Sequence, residues 1–181
     1  VEGFDVRPET REQIESLGAK FLDLGVSAAG EGGYARELSA QEREQQQAAL
    51  AQHLKGIDVL VTTAAVPGRP APKIISAAMV SGMKTGAVIV DLAAETGGNT
   101  ELTRPGETVD ADGVRIIGPL NLPARTATHA SEMFARNLFT FAQLLVTDGA
   151  LAIDFDDDLV AGSCLTHDGQ IRHAPTREAI G

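Results

Sequence analysis

The residues able to do chemistry in this chain are few and widely spaced. Four histidines stand at positions 53, 129, 167 and 173, and no two lie at the spacing of metal ligands. They read as solvated or structural side chains, and the run Asp156-Asp157-Asp158 reads as a solvated turn without the further oxygens a calcium loop needs. Neither a catalytic residue nor a metal site is expected. Two other features carry more information. Asp5 follows a short apolar Val-x-Gly-Phe segment and precedes a helical pattern, which places a carboxylate on a strand-to-helix turn. The stretch Ile57 to Pro72 runs from a mostly aliphatic segment into Pro67-Gly68, with Pro70 and Pro72 holding the backbone extended beyond it.

The elements that must position these residues follow from the pattern of apolar side chains. Ile57 to Ala64 contains five aliphatic residues in eight, as expected of a strand buried on both faces of a parallel sheet. A stiff loop at the carboxyl end of such a strand sits where open α/β sheets bind ligands. Before it, Glu9 to Leu17 reads as a short helix closed by Gly18, and Ala19 to Leu24 as a strand. Ser39 with Glu42 three residues on forms a capping box for a helix reaching about Leu54. After it come a helix from Ser76 to Met83, a second buried strand from Ala87 to Ala93, a ligand-side loop from Ala94 to Asn99, and a strand from Val114 to Ile117. An amphipathic helix is expected from about Thr128 to Val146, with Met133, Phe134, Leu138, Phe141, Leu144 and Leu145 on one face. Beyond it, Ala150 to Phe155, Leu159 to Leu165 and Gln170 to His173 read as three short strands of a β-meander.

Four alternations of strand and helix before residue 148 argue for a Rossmann-like, doubly wound parallel sheet. Such sheets bind dinucleotides through a glycine-rich turn after the first strand and an acidic residue at the end of the second. Asp5 fits the acidic residue, where a carboxylate accepts hydrogen bonds from ribose hydroxyls and disfavours a 2′-phosphate. Taken alone it is more readily an acidic residue on a strand-to-helix turn. The glycine-rich turn is missing. Gly30-Glu31-Gly32-Gly33-Tyr34-Ala35 formally fits G-x-G-x-x-A, yet five or six residues separate it from the strand before it, whereas the fingerprint needs a tight turn. It reads instead as a loop whose Tyr34 either closes over a ligand or anchors the loop on the surface. The expected division is residues 1–127, a partial nucleotide-binding domain, and 128–181, helix plus meander.

Composition narrows the partners. A net charge of −10 over 181 residues disfavours nucleic acid and anionic membrane surfaces. The single Cys164 excludes an internal disulfide and suits a reducing compartment. No apolar run approaches the roughly 18 residues of a membrane span, and no apolar leader region opens the chain, so neither direct membrane insertion nor secretion is expected.

A family resemblance rests on motifs that come in one order. They are Asp5-Val6-Arg7; Gly32-Gly33-Tyr34-Ala35-x-Glu37; Thr62-Thr63-Ala64-x-x-Pro67-Gly68-x-Pro70-Ala71-Pro72; Asp91-Leu92-Ala93-x-Glu95-x-Gly97-Gly98-Asn99; and Asn121-Leu122-Pro123-x-Arg125. With the tail Asp154-Phe155-Asp156-Asp157-x-x-Val160-x-Gly162 and Ala174-Pro175, they resemble the NAD(H)-binding domain of the alpha subunit of proton-translocating NAD(P) transhydrogenase, over essentially the whole chain. Alanine dehydrogenase shares the ancestry. The resemblance implies direct, Re/Si-specific hydride transfer from NADH to NADP⁺ held on a partner domain, coupled to proton movement through a membrane domain. It also implies a homodimer, and a cytoplasmic location at the inner membrane, attached through partner subunits.

By the same resemblance Asp5 is the adenosine-ribose ligand, Val6 and Arg7 line the adenine side, and Gly33 and Tyr34 belong to a loop that closes on the nucleotide. Thr63, Ala64, Ala65 and Val66 pass beneath the cofactor, Pro67 fixes the turn, and Asp91, Glu95, Asn99 and Asn121 lie near the nicotinamide half. The family's chain begins upstream of the position matching Val1, with an N-terminal domain and the first strand. The loss of that strand would leave an unpaired gap in the middle of the sheet, each buried orphan group costing roughly 1–3 kcal/mol. The chain is therefore expected to be a piece, inactive alone, completed by upstream residues or another chain. The alternatives are an alanine dehydrogenase-like amino-acid oxidoreductase and a non-catalytic nucleotide-binding module.

Overall fold

A computed structural model describes residues 1–7, 9–25, 38–66 and 68–180. Gly33, Tyr34 and Pro67 lie outside the described residues, as does the whole glycine-rich loop. The chain forms two compact units, Val1–Leu120 and Asn121–Gly181.

The first unit begins with β1 (Glu2–Gly3), α1 (Thr10–Ser16) and β2 (Lys20–Phe21). β1 and β2 pair in parallel, Glu2 opposite Lys20 and Gly3 opposite Phe21. Next comes α2 (Ala40–Leu54), opened by the expected capping box: the Ser39 hydroxyl accepts from Glu42 N, and the Glu42 carboxylate accepts from Ser39 N at 2.9 Å. Gln46, Leu50 and Leu54, four residues apart, form its buried stripe.

β3 (Val59–Thr62), α3 (Ala77–Ser81), β4 (Val88–Asp91), β5 (Thr108–Ala111) and β6 (Val114–Ile117) complete the unit. Their sheet has the order β3-β4-β6-β5; β3, β4 and β6 are parallel, and β5 is antiparallel to β6. β5 is an element the sequence pattern did not reveal: Thr108 and Asp110 face outward on an edge, and the Asp110 carboxylate accepts Gly113 N at 3.0 Å to close the hairpin. The core lies against β4 and β6, where Ile89 and Ile116 are fully buried with Val80, Leu54, Ile75 and Val114.

The α/β, Rossmann-like arrangement is thus present, with one correction. The β3 segment was expected to be buried on both faces, but Val59 is 62% exposed and Val61 54%. Among the described residues β3 has a single neighbour, β4, and β1 pairs only with β2. The parallel strands therefore fall into two separate pieces.

The second unit contains α4 (Leu122–Arg125), α5 (Ala127–Leu144), a hairpin of β7 (Val146–Thr147) and β8 (Ala150–Leu151), α6 (Asp158–Ser163), a hairpin of β9 (Thr166–His167) and β10 (Gln170–Ile171), and α7 (Ala174–Ile180). The tail has its small antiparallel strand pairs, but Leu159–Leu165, read as a strand, is mostly helix. Asp157 explains the change, since its carboxylate accepts from Leu159 N at 2.8 Å and Val160 N at 3.1 Å, capping α6. Around it, the Arg172 guanidinium lies 4.1 Å from the centroid of the Phe155 ring, which also meets the His167 ring at 5.0 Å. No residue of α5 is buried, and its apolar positions Met133, Phe134, Leu138 and Phe139 are all more than half exposed. No helix among the described residues is long and apolar enough to cross a membrane.

Candidate functional site

The carboxyl ends of β3 and β4 each run into a loop, and the two loops are laced together. Ala71 N donates to Thr96 O at 2.8 Å, and Ile74 N and Ile75 N both donate to Asn99 O, at 2.8 and 3.0 Å. The Asn99 side chain adds three bonds. Its Oδ1 accepts Ala64 N at 2.9 Å, and its Nδ2 donates to Ala64 O at 2.8 Å and Pro72 O at 2.9 Å. One donor and two acceptors surround the amide, so only this orientation satisfies all three neighbours. Asn99 is fully buried. Its amide therefore works beneath the loop, fixing the peptide at Ala64, rather than lining a surface.

Asp91 does the equivalent work one strand over. It too is fully buried, and its carboxylate accepts Ala93 N at 3.2 Å, Thr100 N at 2.9 Å and Thr103 Oγ1 at 2.6 Å. Burial pushes its pKa up, but the hydrogen bonds from Thr103 and from the amides of Thr100 and Asn99 outweigh that penalty and hold it below the usual carboxylate value. Asp91 thus ties the loop after β4 back onto its own strand. Gly98 sits against it with φ +81°, and a Cβ there would lie 2.6 Å from Asp91 Oδ2 and Thr103 Cγ2. Only glycine fits.

What this support presents is a short shelf. Thr63, Ala65 and Val66 are exposed and Ala64 half-buried at the end of β3, and a turn follows in which Arg69 N donates to Val66 O and Gly68 has φ +70°. Glu95 lies exposed on a 3₁₀ turn, Ala94–Thr96. Small apolar side chains on an exposed, rigid backbone suit the face of a flat ring. Lys73 and Thr103 also belong here and were missed from sequence. Lys73 Nζ donates to Gly97 O at 2.6 Å and Thr100 O at 3.2 Å, stitching the two loops from outside. Its sequence signal is a cation directly after Pro72.

Asp5 stands beyond the carboxyl end of β1. Its Oδ1 accepts Arg7 N at 2.9 Å and Arg7 Nε at 3.0 Å, and its Oδ2 accepts Arg7 Nη2 at 2.8 Å. The pair is partly exposed, 28% for Asp5 and 41% for Arg7. The two-pronged bond from the Arg7 side chain is the main reason that the Asp5 carboxyl is held below its usual value, burial opposing it. Val6 is half-buried between them in sequence. Asn121, expected on the nicotinamide side, belongs to the second unit, where it precedes α4 in a left-handed conformation (φ 50°).

Comparison with known proteins gives a consistent result. The family model described as "Alanine dehydrogenase/PNT, C-terminal domain" matches residues 1–174. The chain is 43% identical over 175 residues to an NAD(P) transhydrogenase subunit alpha polypeptide of Rhodospirillum rubrum, covering 93% of this chain and 46% of that one. It is 31% identical over 137 residues to alanine dehydrogenase of Halomonas elongata, covering 74% and 37%. The crystal structure of transhydrogenase from Sinorhizobium meliloti superposes with a TM-score of 0.71 at 42% identity, covering 94% of this chain and 45% of that one. The chain spans about half the length of the R. rubrum relative and the S. meliloti structure that it matches. The chain belongs to the alanine dehydrogenase/PNT C-terminal domain family.

Proposed function

We propose that the chain is the NAD(H)-binding part of a proton-translocating transhydrogenase. The observation that carries this reading is the 43% identity to a transhydrogenase alpha subunit across 93% of the chain, against 31% across 74% for an alanine dehydrogenase.

The residues present suit part of a dinucleotide. Asp5 offers a charged acceptor for a ribose diol. Its neighbours Val6 and Arg7 flank the adenine side, and the Thr63–Val66 shelf offers a rigid apolar bed. When bound, the reduced nicotinamide supplies the hydride. The chain's own task is to hold that ring at near-attack distance from its acceptor and to exclude water. No proton changes place in a direct hydride transfer between two such rings, so a site poor in acids and bases is sufficient. Gly33 and Tyr34 are assigned to the loop that closes over the nucleotide, and Pro67 to the turn after the shelf. Glu95 and Asn121 are assigned to the nicotinamide side, while Asp91 and Asn99 act by holding the loops.

Among the described residues β3 has an open edge and β1 a single partner, which supports a further aspect of this reading, namely that a strand from outside these 181 residues, with its phosphate-binding turn, completes the sheet. Residues 128–181 would then return to a domain that this chain does not contain. The acceptor NADP⁺ would be held on a partner domain, with a membrane domain coupling the transfer to proton movement. A homodimer attached to the cytoplasmic face of the inner membrane through those partners is the expected assembly.

The test is a reconstitution of the full-length subunit with its NADP(H)-binding partner, following hydride transfer from NADH to an NADP⁺ analogue. Direct transfer without exchange of the hydride with solvent is expected. Oxidative deamination of alanine by the subunit alone, with no transfer between nucleotides, would assign it to the amino-acid dehydrogenases instead.

A further inference from the structure

The turn that carries Glu95 ends on two glycines in the left-handed region, Gly97 at φ +105° and Gly98 at φ +81°. Such backbone is permissive, so the turn has to be held in place by groups around it. On the inner side, Gly98 N donates to Ala93 O at 2.9 Å and Thr100 N donates to Asp91 Oδ2 at 2.9 Å. On the solvent side, the Lys73 ammonium donates to the carbonyls at both ends of the segment, Gly97 O at 2.6 Å and Thr100 O at 3.2 Å. Its three donors let it serve both and keep one for water. The backbone that carries the lysine is itself fixed, since Pro72 O accepts from Asn99 Nδ2 and Ile74 N donates to Asn99 O. Residues 97–100 are therefore held at the root of Lys73 and again at its tip.

We propose that Lys73 is a positioning residue for hydride transfer, its bridge setting the Glu95 turn against the Thr63–Val66 shelf. The proposal rests on the cofactor-binding role of that shelf given above. Lys73 acts through the turn and not on the nucleotide. Gly97 is exposed, so water can take the place of the ammonium at its carbonyl, and loss of the bridge should cost the fold little. What is lost is precision, and a transfer between two rings at near-attack distance is sensitive to small displacements.

The experiment uses the full-length subunit reconstituted with its NADP(H)-binding partner, comparing wild type with Lys73→Met and Lys73→Arg. Two quantities are measured on folded protein: the dissociation constant of NADH, and the rate of hydride transfer to an NADP⁺ analogue at saturating NADH. Lys73→Met should lower the rate about three- to tenfold while changing NADH affinity less than about twofold. Lys73→Arg, whose guanidinium can again span two carbonyls, should recover the rate to within about twofold of wild type. A wild-type rate in Lys73→Met overturns the positioning role, as does a loss confined to NADH affinity or a failure of Lys73→Arg to recover the rate. A wild-type subunit that binds NADH but transfers no hydride overturns the transhydrogenase reading itself. Should Lys73→Met fail to fold, Lys73→Gln takes its place: its stem, one atom shorter, keeps an N–H donor but gives up the bridge. Its rate should fall in the same direction by less, and an unchanged rate overturns the proposal.

Discussion

β3 and β4 are nearly interchangeable as sequences, Val-Leu-Val-Thr against Val-Ile-Val-Asp, and they lie side by side in residue-for-residue register. Their environments differ sharply. In β4, Ile89 and Asp91 are fully buried, and the strand has neighbours on both edges. In β3, Val59 and Val61 share a face by the alternation of a strand, and both are more than half exposed. A continuous aliphatic run reports the environment for which a strand is built, and among the described residues β4 reaches it while β3 does not. The same contrast holds at the carboxyl ends. The loops after β3 and β4 are fixed by buried, fully engaged side chains, whereas the turn after β1 is held by an ion pair open to solvent.

The largest expected effect tests the support beneath β4. Asp91→Ala would strand the Thr103 hydroxyl and the amides of Ala93 and Thr100 in a dry site, at a cost of about 3–5 kcal/mol. Urea unfolding of the chain measures it. The pH dependence has a defined sign. Because the folded Asp91 pKa lies below its unfolded value of about 4, its contribution is complete above that value and fades as pH falls through the folded one. Asp91→Asn should therefore flatten the acid limb of the stability curve, and an unchanged limb would show that Asp91 contributes no linkage.

A smaller effect separates support from contact at the Asn99 position. Asn99→Leu keeps the volume but leaves Ala64 N, Ala64 O and Pro72 O without their partners, at about 2–3 kcal/mol. Since the amide is buried, NADH affinity of the full-length subunit should fall only as far as the shelf at Ala64 loosens. Asn99→Asp, which retains the acceptor for Ala64 N but sets a carboxylate against two carbonyls, should be at least as damaging to stability. Urea unfolding of both variants beside an NADH titration distinguishes the roles: lost affinity with unchanged stability would make Asn99 a direct ligand.

These roles mark how far the sequence alone could be read. The Ser39–Glu42 capping box, β6 at Val114–Ile117 and the position of β4 were legible because each depends on neighbours within a few residues. The turn after β1 was legible for the same reason. The amide of Asn99 was not, since its partners lie 27 and 35 residues away and no local pattern reveals whether a polar side chain at a strand end faces solvent or another loop. β5 escaped because an edge strand with two outward polar residues and an Asp-Gly hairpin reads as a turn. In the tail, the aliphatic content of Leu159–Leu165 suggested a strand, but Asp157 supplies a cap whose strength apolar periodicity does not register.

The smallest expected effect bears most directly on the contrast between the two strands. Val61→Thr changes a side chain that is 54% exposed, so in the 181-residue chain it should shift stability by no more than about 0.5 kcal/mol. In the full-length subunit, a strand and helix closing over β3 would bury the introduced hydroxyl among apolar groups, and the same substitution should cost about 1–3 kcal/mol. Urea unfolding of the variant in both contexts supplies the comparison. A loss above about 1 kcal/mol in the short chain would mean that its own residues already cover this face. Small, equal losses in both contexts would mean that the face stays open in the complete subunit, and that the aliphatic run of β3 has some purpose other than pairing. A large loss confined to the full-length subunit would make β3 the counterpart of β4, its missing neighbours supplied from outside this chain.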